Sequence, residues 1–373
     1  MAQEMFGGYR DPLALPQPNR EIQTLRVGYR EGRVKSMRNL THDTYEIVVQ
    51  CDIDQKQIGE AGQFWTIRVP GLRKPRPYSF ARAPESESLG EHTFFIRLVP
   101  GGELSAWLAG GDRTGEEVTL SGPLGKFKLD PSSEDMVCIA GGSGMSAVHA
   151  IIEHAANLKV PRNCYFFYGA RTQKDLYLEE EIEALQKRWH PDYVLKFHQV
   201  LNEEPEDSDW TGGRGLVTDY FKKHYLANGQ VDINRMKAYF CGPPPMIDAG
   251  IAVLKKAGLS DRDIFYDKFE DARSPVPIID NTKCVLCDEC LMVKPVEHCI
   301  VEAASLRRGN GGTPGTMEYE EVEPAATAGL YYNTLYINEK ECIRCYACVE
   351  ICPAKAISPD YAPMPRTLAD IIE

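Results

Sequence analysis

Tyr45, Ile47, Val49 and Cys51 fall on one face of Asp43–Cys51, a period of two that predicts a half-buried strand. Similar short runs follow at Gln63–Val69, Pro77–Ala83, Thr93–Val99 and Glu117–Leu120, separated by Gly/Pro turns. One short helix fits Glu103–Leu108. Many short strands with turn punctuation predict a small antiparallel β-barrel over residues 22–130. At about residue 131 the rhythm changes. Met136–Ala140 precedes a helical pattern at 145–157, Cys164–Tyr168 one at 175–188, Tyr193–Val200 one at 216–226, and Met236–Cys241 one at 244–257. Ile264–Tyr266 closes the series. Such β/α alternation predicts a parallel sheet covered on both faces, an α/β domain over 131–272.

Both ends lack this order. Residues 1–21 are Pro-rich, polar and aperiodic, and read as a loose arm. A Pro-containing linker, ARSPVPIID, follows Asp271. Residues 273–373 have little helical periodicity, and 309–329 read as a loop insertion. The chain has 373 residues, which predicts two or three domains, and its 43% hydrophobic and 26% charged content is that of a globular protein.

Charge narrows the function. With Lys+Arg 42 and Asp+Glu 54 the net charge is −12, which argues against nucleic acid or an anionic membrane as partner. No apolar stretch reaches the roughly 18 residues of a membrane span. The first residues hold no cationic segment followed by an apolar run, so a cytoplasmic chain is expected. Residues 273–373 carry fifteen Asp/Glu against nine Lys/Arg, a net −6, or half the total.

Eight of the twelve cysteines lie in that last region. Cys342, Cys345, Cys348 and Cys352, followed by Pro353, form C-x2-C-x2-C-x3-C-P, which resembles the four-iron run of bacterial ferredoxins. Cys284, Cys287 and Cys290 repeat the x2 spacing, with Cys299 after eight intervening residues and no proline after it. In such ferredoxins the fourth cysteine serves the other cluster. The resemblance therefore implies one [4Fe–4S] cluster on Cys284, Cys287, Cys290 and Cys352, and another on Cys342, Cys345, Cys348 and Cys299, in a small α+β domain. Zinc and disulfides are the competing readings. Zinc usually takes two close pairs without a third cysteine at the next x2 step, and clustered cysteines in a reducing compartment suggest ligation over disulfides. The remaining Cys51, Cys138 and Cys164 fall on apolar strand positions and read as core.

Arg76-Pro77-Tyr78-Ser79, taken alone, could be a strand edge. Further on, Gly101-Gly102-Glu103-Leu104-Ser105 opens a helix, where glycines let backbone N–H groups approach a phosphate; Ser105 could equally be a helix cap. Together with Gly122-Pro123-Leu124-Gly125 these residues resemble the ferredoxin–NADP reductase-like flavoproteins, in the branch of oxygenase reductases and the flavin subunit of the sodium-pumping NADH:quinone oxidoreductase. The resemblance covers about residues 25–270. It implies that Arg76 pairs with the FAD pyrophosphate, Tyr78 packs on the isoalloxazine, Pro77 and Ser79 line the ring with Ser79 near N5, and Gly101, Gly102 and Ser105 hold phosphates.

Gly141-Gly142-Ser143-Gly144 follows a predicted strand and opens a helix, the setting of a dinucleotide loop. Ala147 stands where the family usually has proline. The resemblance puts the adenosine half of the cofactor near Gly169-Ala170-Arg171 and Asp175, in wording like that of the NADH-using branch. Arg171 could meet a 2′-phosphate or the pyrophosphate, or be a surface arginine; no acid stands at the usual ribose position about 20 residues past the loop. Cys241-Gly242 ends a strand where the family sets a cysteine beside the nicotinamide, although a packed thiol is the plainer reading. Phe269 would shield the flavin face that the nicotinamide later occupies.

A nicotinamide gives up two electrons at once and an iron–sulfur cluster passes one, and a flavin bridges the two. The expected order is NADH (or NADPH), FAD, two [4Fe–4S] clusters, then an outside acceptor. The leading expectation is a reductase feeding an oxygenase or another iron–sulfur enzyme. The alternative is a diaphorase-type subunit of a larger redox complex, one that could run towards NAD(P)+ reduction. A redox sensor would not need the hydride site. The family usually attaches a [2Fe–2S] module, so this tail departs from it. Its acidity predicts an acceptor with a basic docking face.

Overall fold

A computed structural model describes residues 28–53, 58–72, 75–268, 276–280, 283–296, 299–302, 306–308, 319–321, 335–338 and 341–358. Residues 28–270 form one compact unit and 271–373 belong to another. The arm at 1–21 and Phe269 lie outside the described residues. Among the described residues no helix is long and apolar enough to cross a membrane.

The first sheet of the larger unit is antiparallel throughout. Its strands are β1 (Gly28–Asn39), β2 (Thr44–Cys51), β3 (Phe64–Arg68), β4 (Arg76–Ser79), β5 (Glu91–Arg97) and β6 (Glu117–Leu124), in the order β4-β3-β6-β1-β2-β5. Just past β4 the edges meet, where the Ala81 N–H donates to the Thr93 carbonyl at 2.9 Å. Trp65, Phe80 and Phe94 fill the interior, and helix α1 (Glu103–Ala109) buries Leu104 and Leu108 against it. The longest strand, β1, carries no clear period-2 signal. Its inward positions include Arg30, Gly32 and Val34, and Gly32 lies under the Val49 side chain where a Cβ would meet Cγ1 at 3.0 Å.

The second sheet is parallel. It comprises β7 (Asp135–Gly141), β8 (Cys164–Ala170), β9 (Leu195–Leu201), β10 (Gly213–Arg214), β11 (Met236–Cys241) and β12 (Ile264–Asp267), ordered β10-β9-β8-β7-β11-β12. Chain order reverses beside β7, so the crevice between the ends of β7 and β11 is the topological switch point where ligands bind in such sheets. Helices α2 (Met145–Asn157) and α5 (Pro244–Ala257) match the expected spans. Helix α3 (Glu179–Arg188) starts later than expected, because Thr172 and Asp175 close a capping box around a separate turn. Helix α4 (Val217–Phe221) runs into a π turn at Lys222–Leu226. Cys138 and Cys164 are fully buried, with Sγ atoms 3.9 Å apart, and Cys51 is core in the barrel.

Helix α2 is apolar almost all round because it packs on both sheets. Its polar residues line up along the segment that follows β4. His149 Nδ1–H donates to the Ala81 carbonyl (2.8 Å), and Glu153 accepts from the Ala83 N–H (2.7 Å). Glu85 accepts from Asn157 (2.8 Å) and pairs with His154 (2.7 Å).

In the smaller unit, β13 (Ile278–Ile279) pairs with β18 (Ile357–Ser358), and β14 (Ile300–Glu302) with β17 (Leu335–Ile337). The strand before the first cysteine run thus joins the strand after the second, and the reverse. Helices α6 (Glu289–Met292) and α7 (Ala347–Ile351) carry the third cysteine of each run. β15 (Leu306–Arg308) and β16 (Tyr319–Glu321) form an antiparallel pair, so the stretch read as a loop insertion contains a strand; ladder pairing satisfies its backbone where side-chain pattern gave no signal.

Candidate functional site

Two strand ends build the crevice. A Cβ on Gly144 would stand 2.1 Å from the Cys241 carbonyl oxygen, so the loop after β7 and the loop after β11 touch backbone to backbone. Gly141 is equally closed, by Met246 Sδ at 2.7 Å. Gly142 adopts φ +55°, and its carbonyl accepts from the Tyr177 hydroxyl at 3.1 Å. Beside it opens a cleft of about 390 Å³, lined by the predicted Gly142, Arg171 and Asp175, with Asp43 and Arg97 reaching in from the first sheet. No side chain caps the start of α2 at the cleft; a 3-10 turn at Gly142–Gly144 leads into it, and the Met145 N–H donates to the Gly142 carbonyl.

Arg171 is committed within the protein. It donates to Asp175 (2.9 Å) and approaches Asp43 (3.5 Å), and the bond to Asp175 raises its already high pKa. Burial opposes the charge of Asp175, but the Thr172 N–H and Arg171 outweigh it and hold the carboxyl below its usual range. Burial likewise works against Asp43, and Arg97, donating through Nε at 2.8 Å, keeps its carboxyl low. Acids therefore do stand in the cleft, and one of them, Asp43, comes from the β1–β2 turn 128 residues from Arg171, a separation no local motif could reveal.

The predicted flavin segment is β4. Its register against β3 sets Arg76 opposite Ile67 and Tyr78 opposite Trp65, so Arg76 and Tyr78 share one face and Pro77 and Ser79 the other. Arg76, Pro77 and Tyr78 are half-buried; burial drives the Tyr78 phenol pKa well up. Ser79 is buried and donates from Oγ to Asp267 Oδ2 at 2.8 Å. Asp267 stands beside Cys241 across the β11–β12 ladder. Burial, then the nearby Asp267 charge, push the Cys241 thiol pKa far above its usual value. Ser79 and Cys241, 162 residues apart, thus converge on one carboxylate that the sequence motifs did not single out. At the other phosphate motif Gly101 takes φ +74°, and Ser105 Oγ accepts from the Val99 N–H at 2.8 Å, which leaves its own O–H to donate. Gly242 carries φ +154° and packs over Gly141.

The eight clustered cysteines line two separate small cavities. Cys284, Cys287, Cys290 and Cys352 face one, and Cys299, Cys342, Cys345 and Cys348 the other. The wrapping is the same in both runs. Leu286 and Asp288 flank Cys287 with φ of +52° and +60°; Arg344 and Tyr346 flank Cys345 with +58° and +57°. Left-handed non-glycine residues cost about 1–2 kcal/mol each, so four at matched positions mark a loop shaped around something else. N–H groups of Arg344 and Ala356 point at Cys342 Sγ (3.4 Å) and Cys352 Sγ (3.2 Å). Burial pushes the Cys290 thiol pKa up to about 12 and that of Cys299 up to about 11; a thiolate there needs a bound cation. Four soft sulfur donors around each cavity fit iron–sulfur ligation.

Residues 31–129 match the oxidoreductase FAD-binding domain family, 138–250 the oxidoreductase NAD-binding domain family, and 335–358 the 4Fe-4S binding domain family. The chain thus carries FAD-binding and NAD-binding oxidoreductase domains and a 4Fe-4S domain, and its relatives are ferredoxin-reductase-like reductase components. It is 40% identical over 237 residues to the xylene/toluene monooxygenase electron transfer component XylA of Pseudomonas putida, covering 63% of this chain and 64% of that protein. To the phenol 2-monooxygenase reductase component DmpP of Pseudomonas sp. (strain CF600) it is 36% identical over 221 residues, 59% of this chain and 60% of that one. The chain thus spans under two thirds of the length of either relative. A solved ferredoxin reductase of carbazole 1,9a-dioxygenase is similar over 65% of this chain and 70% of its own, with a TM-score of 0.57 and 29% identity. For this ferredoxin-reductase-like chain, FAD binding, NAD binding and a 4Fe-4S domain are established features.

Proposed function

We propose that this protein takes a hydride from NADH (or NADPH) into FAD and passes single electrons through two [4Fe–4S] clusters to a protein acceptor such as an oxygenase. The observation that carries this reading is the meeting of Ser79 and Cys241 at Asp267, which joins the flavin segment of one sheet to the switch point of the other. Arg76, with Gly101, Gly102 and Ser105, holds the flavin's phosphates. Tyr78 offers an aromatic face and Ser79 a small hydroxyl that orients the ring without covering it. Gly142, Gly144 and Gly242 keep the crevice free of side chains so that backbone approaches the dinucleotide, Asp175 and Arg171 border its adenosine end, and Phe269 shields the flavin face.

Two clusters are supported by two four-cysteine cavities whose membership follows the crossing pattern of ferredoxins. We assign 22–130 to FAD, 131–272 to NAD(P) and 273–373 to the clusters, with 1–21 as an arm. Relatives named as electron transfer and reductase components of monooxygenases support an oxygenase as acceptor, and the net −6 of the tail supports a basic docking face and salt-sensitive docking in the cytoplasm.

Anaerobic titration with NADH tests the reading. One FAD and about eight iron per chain are expected, a capacity of about four electrons that about two equivalents of NADH fill. Ser79→Ala should keep FAD but slow bleaching by about 5- to 150-fold, the loss of one buried hydrogen bond. A chain with two zinc or about four iron overturns the two-cluster part. Wild-type bleaching rates in the variant overturn the role of Ser79.

A further inference from the structure

We propose that electrons leave this protein through the site of Cys284, Cys287, Cys290 and Cys352, and that a protein acceptor docks on the face around Val285; this rests on the two-cluster reading. The site of Cys299, Cys342, Cys345 and Cys348 then comes earlier on the electron path. The two cysteine runs allow a like-for-like comparison, because their loops take left-handed residues at the same steps, Leu286 and Asp288 in one and Arg344 and Tyr346 in the other. Val285 therefore matches Ile343, and Cys287 matches Cys345. At both pairs the earlier run is the more open. Val285 is 59% exposed, whereas Ile343 packs against the apolar cluster of its unit. Cys287 is exposed, whereas Cys345 is half-buried. Of the two sets of four, the first has one buried cysteine, Cys290, and the second has two, Cys299 and Cys342.

The cause lies in the x8 step. Eight residues separate Cys290 from Cys299, where three separate Cys348 from Cys352. Of the longer stretch, Val293, Lys294 and Pro295 line the cavity of the Cys299 set. Val293 and Val296 are buried, and Lys294 Nζ donates to the Ile300 carbonyl at 3.2 Å, which ties the stretch down. Among the described residues, none of the three between Cys348 and Cys352 lines the cavity of the Cys284 set. The extra residues thus wall one site and leave the other near the surface. Electron transfer between proteins slows steeply with distance, so an acceptor uses the site with less protein over it. An exposed apolar side chain beside an exposed ligand gives that partner its central contact, and the net −6 of residues 273–373 selects a basic one. No bond forms or breaks at this face. Two acceptors each gain one electron for each NADH oxidised to NAD+, and the remaining proton goes to water.

The first test is the order in which the two sites come apart. The full chain, holding FAD and about eight iron, is treated anaerobically with ferricyanide and EDTA until half the iron is lost. The released thiols are alkylated with iodoacetamide and mapped by peptide mass spectrometry. Cys284, Cys287, Cys290 and Cys352 should be labelled at least about fivefold more than the other four, because the surrounding shell controls access from water. Equal labelling of the two sets, or earlier labelling of the Cys299 set, overturns the proposal. The second test uses cytochrome c, a basic one-electron acceptor. Val285→Lys should raise its KM about 10-fold, and the uncharged Val285→Gln about 2- to 3-fold, with about eight iron kept in both. Unchanged KM in Val285→Lys also overturns the proposal, since the acceptor then docks elsewhere; if that variant loses iron, Val285→Gln decides in its place. A wild-type chain with about four iron, or with zinc, fails the two-cluster reading first, and the exit falls with it. About eight iron together with an adverse result in either test leaves that reading intact and removes the exit alone.

Discussion

The unit at 28–270 and the unit at 271–373 make their sites in opposite ways. In the larger one, three apolar cores rich in Phe, Tyr and Trp set the strands, and the binding loops are gaps between finished elements: Gly144 against Cys241, Gly142 under Arg97. In the smaller one the ligands are the core. Cys290 and Cys299 stand in its apolar cluster with Ile279, Val296, Ile300, Leu335 and Ile357, and Cys284, Cys348 and Cys352 pack against it. A site left open by a packed fold survives loss of its ligand. A core built from metal ligands does not, because metal binding is then folding free energy.

Removing one thiolate should show the contrast most strongly. Cys345→Ala should cut iron from about eight to about four per chain and make the region after 271 sensitive to protease, while FAD stays bound and NADH still bleaches it. Transfer to the protein acceptor should fall by about 100-fold or more, since the one-electron exit is broken. Acceptor reduction at the wild-type rate, with FAD intact, would mean that electrons leave from the flavin.

The converse change lies in the larger unit. Gly144→Ala drives a methyl to within 2.1 Å of the Cys241 carbonyl oxygen, a backbone atom held in a central strand. Overpacking of that kind costs about 1–3 kcal/mol. The midpoint of denaturation should drop accordingly and NADH should bind at least about tenfold more weakly, with iron content unchanged. Wild-type affinity would show that the two loops can part.

The smallest effect is on acid stability, and only the larger unit should show it. His92 and His149 are buried, and burial lowers their pKa values to about 4 and about 3. Each therefore stabilises the fold fully above pH about 6.5, and that contribution drains away as pH falls towards its folded value. Glu87 opposes them. Burial lifts its pKa to about 7, so it adds stability as pH falls from there to the ordinary carboxyl range. In Glu87→Gln the loss between pH about 6.5 and 4 should be steeper than in wild type, by on the order of 1–2 kcal/mol in urea titrations. Parallel curves would show that these groups do not set the acid limit.

The two regions also differed in how far they could be read from sequence. The cysteine grouping was legible from the x2 steps and the crossing rule, although Cys299 follows Cys290 after eight intervening residues where the second run has three. The spans of β11, α2 and α5 were legible from apolar periodicity. Strand β1 was not, since its inward side offers an arginine and a glycine along with Val34. Nor was β10, two residues long with one of them glycine. Asp43, Arg97 and Asp267 escaped for a different reason. Ser79 and Asp267, 188 residues apart, meet only once the two sheets have packed, and Asp43 and Arg97, 54 apart, only once β2 has paired with β5.

Helix α2 begins at the dinucleotide loop and ends on Glu85, and along the way His149 and Glu153 hold the segment that leaves β4. One rod is thus pinned at one end to the nicotinamide crevice and along its length to the continuation of the flavin strand. Hinged opening would break these bonds in succession. If the crevice takes the dinucleotide as proposed, the spacing between hydride donor and acceptor is set by the scaffold rather than by closure around the ligand. Turnover in such a vice with fixed jaws should depend little on solvent viscosity, because no large piece of the larger unit has to swing through water between one hydride and the next.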